Sequence, residues 1–187
     1  MFNRVLLLAL AVLMAATRSS HWGTPVQLPD ASLAVFFLCG FYLRETRWFA
    51  LFCAEAGVID VLAIHHGVSS FCVTAAYPFL LPTYGAVWFG GRWLRRHLQT
   101  DGLNAVRAVT AALVSISVAF LISNGSFYLL SGYFTNLNLL QYAERVARYA
   151  PRYVGTTGLY LIATAALHAI VTALIELRDD RRRRLAP

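Results

Sequence analysis

Six apolar runs, separated by short polar stretches and clusters of arginine, leave this chain few ways to fold. A helix that crosses a bilayer needs about 20 largely apolar residues, since the hydrocarbon core is about 30 Å thick and a helix rises about 1.5 Å per residue. The runs fall near residues 2–16, 31–43, 47–64, 77–94, 105–123 and 154–177. They predict an all-α membrane protein with six transmembrane helices, forming one transmembrane domain over residues 1–187. The second run is short, so its helix must tilt little or be extended by Arg44 reaching toward the headgroups. The stretch after Arg4 also has the length of a signal-peptide core, but five further runs follow it, and a first span is the simpler account.

The charges orient these spans. All sixteen cationic residues are arginine, and the net charge is +7. A basic soluble surface would point to nucleic acid, but 58% of the residues are hydrophobic and only 13% charged, against about 25% charged in soluble domains. The arginines sit just beyond apolar runs, as the positive-inside rule expects of cytoplasmic loops, and no nucleic-acid partner is expected. Arg4, Arg44, Arg47, Arg92, Arg95, Arg96, Arg107, Arg178 and Arg181 to Arg184 share one side of a six-span arrangement. Both termini are therefore expected in the cytoplasm, with a basic tail at 178–187.

The opposite side holds residues 17–30, 65–76 and 124–153. Its third segment breaks the charge pattern with Arg145, Arg148 and Arg152. Connections between helices usually have about 2–8 residues, and much longer ones tend to carry function or structure of their own. Leu139, Ala143, Val146 and Ala150 recur at helical spacing among polar residues, which predicts a short amphipathic helix on the outer face, ended by Pro151. It would act as a lid or as an anchor in the headgroups. Asp30 is expected to cap the second helix. Pro78 and Pro82 fall in the opening turns of the fourth, where Pro82 can kink it and free a carbonyl.

Two groups of residues invite a functional reading. Ala11 and Ala15 form a small-xxx-small pair, which lets a second helix approach closely, either within the bundle or from a partner subunit. On the outer side, His21 and Trp22 follow the first run, Asp60 lies about one turn inside the third, and His65, His66, Cys72 and Tyr77 come next. Ionisable residues within spans usually face a cavity or a partner, so Asp60 is a binding-site candidate, the plain alternative being a hydrogen-bonded structural carboxylate. Cys39 and Cys53 lie within apolar runs and read as small buried hydrophobes. Cys72 lies outside them. One cysteine makes no zinc site, but a thiolate can supply one axial bond to a metal already held by a macrocycle; otherwise Cys72 is an inert buried thiol. His168, in the last run, reads as a packed, hydrogen-bonded residue. No nucleotide-binding loop, hydrolase elbow or zinc-protease motif occurs, so the chain does not energise transport by hydrolysing ATP itself.

The six short helices, Ala11 to Ala15, the His21-Trp22 turn and above all Ser69-Ser70-Phe71-Cys72-Val73-Thr74-Ala75-Ala76-Tyr77-Pro78 together resemble the BtuM family. These are small cobalamin-transport proteins related to the substrate-binding S-components of energy-coupling factor transporters. The resemblance implies an S-component-like bundle in the bacterial cytoplasmic (inner) membrane, binding vitamin B12 from the periplasmic face. It places Cys72 as the cobalt ligand, and His21, Asp60, Tyr77 and Arg145 against corrin amides or the nucleotide loop. It also implies that Ala11 and Ala15 face an energy-coupling module of transmembrane and ATPase subunits, though some members are thought to act without one. A thiolate on cobalt can further weaken or replace an upper cyano ligand, giving Cys72 a decyanation role beside transport. Two other readings stand: an S-component for another vitamin, which would need no thiolate, and a membrane thiol enzyme using Cys72 with a nearby histidine as base. A scaffold subunit using the Ala11 face is a third.

Overall fold

The computed structural model describes residues 2–18, 28–43, 45–99 and 102–185, without the side chains of Phe2, Asn3, Cys72, Asp179, Asp180 and residues 182–185. Six α-helices form the fold: α1 (Phe2–Arg18), α2 (Ser32–Tyr42), α3 (Thr46–His65), α4 (Leu80–His97), α5 (Asn104–Leu130) and α6 (Leu139–Leu185). No strand occurs among the described residues. Each predicted run overlaps one of these helices, although Tyr77–Phe79, with Pro78, forms a separate single-turn helix just before α4. Three of them, α3, α5 and the Leu139–Arg178 part of α6, are each long and apolar enough to cross a membrane, while α2 is a shorter apolar helix. Their outward faces carry exposed Val58, Val61, Val109, Leu113 and Ile170. So much uncovered apolar surface belongs against lipid or another apolar partner, not water.

The centre is built on α2 and α4, which run side by side. Ser32, Ala34 and every residue from Val35 to Gly40 are buried, so α2 is apolar all round. Phe36 stacks on Tyr84 with ring centroids 4.2 Å apart and meets Phe49 and Phe52 edge-on. Glycine makes this closeness possible. A Cβ on Gly40 would overlap the Trp88 carbonyl oxygen, and one on Gly91 the Phe37 carbonyl oxygen. At the opposite end Thr17 ties α1 to α2, its Oγ1 donating to the Leu13 carbonyl at 2.8 Å and accepting from the Ala31 N–H at 3.1 Å.

Several expectations are corrected. The segment 124–153 is not a long outer loop. α5 runs on to Leu130, only a short connection follows, and the amphipathic stretch is the first part of α6 itself. Pro151 lies inside α6 and does not end it. The carbonyl that it leaves without its usual partner belongs to Ala147, an exposed residue, which lowers the cost of the lost bond. Asn124 and Ser126 read as loop residues because they are polar, yet both are buried within α5. Asp30 serves α2 as expected, but from one residue outside the N-cap, which is Ala31; its Oδ1 accepts from the Ser32 N–H at 2.9 Å. His168 is hydrogen-bonded as expected, to the Tyr42 hydroxyl at 3.4 Å, but it is exposed and not packed.

Candidate functional site

The end of the bundle where α1 finishes and α2 begins holds a cavity of about 1100 Å³. That is at the upper end of small-molecule sites, about 300–1,000 Å³. Its floor is a polar network that joins α1, α2, α3 and α4 with Asp30 before α2 and Tyr77 before α4. Arg18, the last residue of α1, grips Asp60 of α3 with both arms of its guanidinium: Nε donates to Oδ1 at 2.7 Å and Nη2 to Oδ2 at 2.6 Å. Nη1 donates to Tyr84 Oη at 2.8 Å and to Ser32 Oγ at 3.0 Å. The Ser32 hydroxyl donates in turn to Asp30 Oδ1 at 2.6 Å, and the Tyr77 hydroxyl donates to Asp60 Oδ2 at 2.8 Å. The Arg18 and Asp60 side chains are only 10% and 22% exposed. A bidentate pair of this kind is the strong form of a charged hydrogen bond and tolerates such burial because each guanidinium nitrogen finds at least one acceptor.

Asp60 is thus a structural carboxylate and a cavity-lining one at once. Two carboxylate oxygens offer about four acceptor sites. Among the described residues three are taken by Arg18 and Tyr77, which leaves one acceptor direction on Oδ1 facing the cavity.

The wall on one side is the segment between α3 and α4. Ser69 caps a single-turn helix, Ser70–Cys72, by accepting from the Phe71 N–H at 3.2 Å. Ser69, Phe71 and Val73 all line the cavity, so the backbone carries Cys72 along its rim. Phe71 is held by Tyr133, whose ring stacks at 4.3 Å and whose hydroxyl donates to the Phe71 carbonyl at 3.3 Å. The same aromatic cluster reaches Arg145 of α6 through Phe127, whose ring lies 5.6 Å from that of Phe71. Arg145 Nε donates to Asn124 Oδ1 at 3.2 Å, and its guanidinium lies 4.9–5.3 Å from the rings of Tyr149, Phe134 and Phe127. Rings on several sides fix the direction of the cation without neutralising it.

Of the residues singled out by sequence, Asp60, Tyr77 and Arg145 come together on this cavity. His21 and Trp22 lie outside the described residues, as does the Cys72 side chain. His65 and His66 are exposed and do not line the cavity among the described residues, where no three His, Cys, Asp or Glu side chains gather to hold a bare metal ion. Ala11 and Ala15 sit elsewhere, on the body of α1, with Ala11 half-buried against the core and Ala15 exposed.

Sequence reasoning missed Arg18. Its signal was present: an arginine directly after an apolar run, on the side that the loop charges predict to be the outer one. Tyr84, Asn124 and the Phe71–Tyr133 pair were missed as well, because each reads as ordinary helix or loop until its partner is in place. No family model matches this chain, and no curated protein matches it.

Proposed function

We propose that the chain is a cobalamin-binding uptake protein of the bacterial cytoplasmic membrane, taking vitamin B12 into this cavity from the periplasmic side. The observation that carries the reading is the position of the Cys72 segment on the rim of a cavity large enough for an unusually large ligand. Cobalt in a corrin already has four equatorial nitrogens, so one axial donor is all that the protein must add, and no cluster of ligands is needed. The rest of the lining suits the corrin periphery. Asp60 has an acceptor site for a side-chain amide N–H, the Tyr77 oxygen can accept another, and Arg145 offers donors to carbonyl or phosphate oxygens.

The proposed ligand exchange is simple. The Cys72 thiol gives up its proton to solvent, an S–Co bond forms, and the Co–N bond to the benzimidazole tail breaks. A thiolate opposite cyanide then weakens the Co–C bond. Cyanide leaves with its electron pair and takes up a proton, water fills its place, and cobalt remains Co(III). No reductant is consumed.

Coupling to an energy-coupling module is part of the same proposal. The outward face of α1 carries exposed Val5, Leu8, Val12 and Ala15, a stripe that a partner helix or lipid can cover.

Binding is the test of the whole reading. Titration of the detergent-purified protein with aquocobalamin is expected to saturate at one corrin per chain. No retained corrin would overturn the assignment and leave a cavity for a different ligand.

A further inference from the structure

The other end of the α2–α4 pair holds a second cavity, of about 370 Å³, lined among the described residues by Gly40, Arg92, Arg95 and Arg96. The three arginines stand at positions i, i+3 and i+4 of α4, which places them on one face of the helix. Two are pre-set by aromatic rings: the Arg92 guanidinium lies 4.5 Å from the Trp88 ring centre, and that of Arg95 5.8 Å from Phe41. Among the described residues neither Arg95 nor Arg96 pairs with a carboxylate. The nearby acid Glu45 is bound to Arg47 at 2.6 Å. The cavity exists because α2, with 11 residues, stops at Tyr42 while α4 continues beside it to His97.

On the six-span reading, which makes α4 a span, the depth of this cavity in the bilayer follows from the side chains of α4. Phe89, one turn before Arg92, is 64% exposed and Trp93 is 44% exposed. A bare phenylalanine belongs in the acyl region, a tryptophan at the interface, and the guanidinium groups just beyond at the level of the headgroups. Topological arginines need only be on the correct side; they need not converge on a shared hollow with ring-oriented donors.

We propose that this cavity is a binding site for the phosphate group of an anionic phospholipid, with the guanidinium groups of Arg95 and Arg96 as its main donors. Arginine's planar fork matches phosphate oxygens, and basic pockets between spans at the cytoplasmic surface take such headgroups. A net anionic lipid is favoured over a zwitterionic one, whose ammonium would be set against the arginines.

Native mass spectrometry of the purified full chain in detergent tests this, with phosphatidylglycerol, phosphatidylcholine and inorganic phosphate as probes. The wild type is expected to keep one phosphatidylglycerol in preference to phosphatidylcholine. Arg95→Gln with Arg96→Gln should weaken that binding about tenfold. Arg178→Gln with Arg181→Gln removes the same charge from the basic tail and is expected to leave it intact, and the monodispersity of both variants reports on folding. Equal binding in the Arg95/Arg96 variant and the wild type would overturn the site. Displacement of the lipid by millimolar inorganic phosphate would overturn the lipid as its occupant.

Discussion

At Asp60 one carboxylate serves two ends, anchoring Arg18 and facing the cavity. An ionisable side chain within an apolar run stands out in sequence, and so Asp60 was legible. Its partner was not, because Arg18 is 42 residues away and a single arginine at a helix end looks like loop charge. The pair lies largely out of water, so removing one member strands the other. Arg18→Leu alone, or Asp60→Leu alone, is expected to cost about 3 kcal/mol, the lower end for a broken buried pair. The double variant should cost clearly less than the sum of the two. Denaturation midpoints of the four proteins in one detergent measure this, and simple additivity would show that the pair is not coupled.

At the scale of the helix, apolar runs set the six helices legibly, while their ends depended on residues whose partners are remote. Polar Asn124 and Ser126 looked like a loop, but inside α5 Asn124 meets Arg145 and Ser126 bonds back to the Ser123 carbonyl at 3.0 Å. Pro151 looked like a stop, yet a proline removes only one helical bond and α6 continues on both sides of it. Contact between helices was illegible for another reason: a glycine in an apolar run does not reveal whether a second backbone lies against it. Gly91→Ala is expected to destabilise by about 1–3 kcal/mol, because the new methyl meets the backbone of α2, which cannot swing aside. Gly57→Ala, with nothing within 4 Å of its added carbon, is expected to stabilise α3 by about 0.5–1 kcal/mol. Thermal unfolding of the two variants beside the wild type separates these outcomes, and equal shifts would contradict the packing of α2 on α4.

The whole molecule puts its large cavity at one end of the bundle and its arginine-lined hollow at the other. If the chain spans the membrane six times, the α5–α6 connection and the α4–α5 connection lie on opposite sides. In a background with Cys72 replaced by serine, Leu137→Cys is then expected to react with an impermeant maleimide from the periplasm, and Leu98→Cys only after the cells are opened. Labelling of both from one side would contradict that topology.

The architecture was more legible than the site because hydropathy is carried by every residue of a helix. The cavity depends on a few long-range meetings, Arg18 with Asp60 and Phe71 with Tyr133, that no local pattern encodes. The proposed bond between the Cys72 sulfur and cobalt would show itself in the visible absorption spectrum of bound cyanocobalamin. With wild-type protein the corrin bands are expected to shift as thiolate replaces the benzimidazole, and to move again as cyanide leaves. With Cys72→Ala both shifts should disappear. Identical, unshifted spectra in the two proteins, with corrin bound, would contradict thiolate ligation.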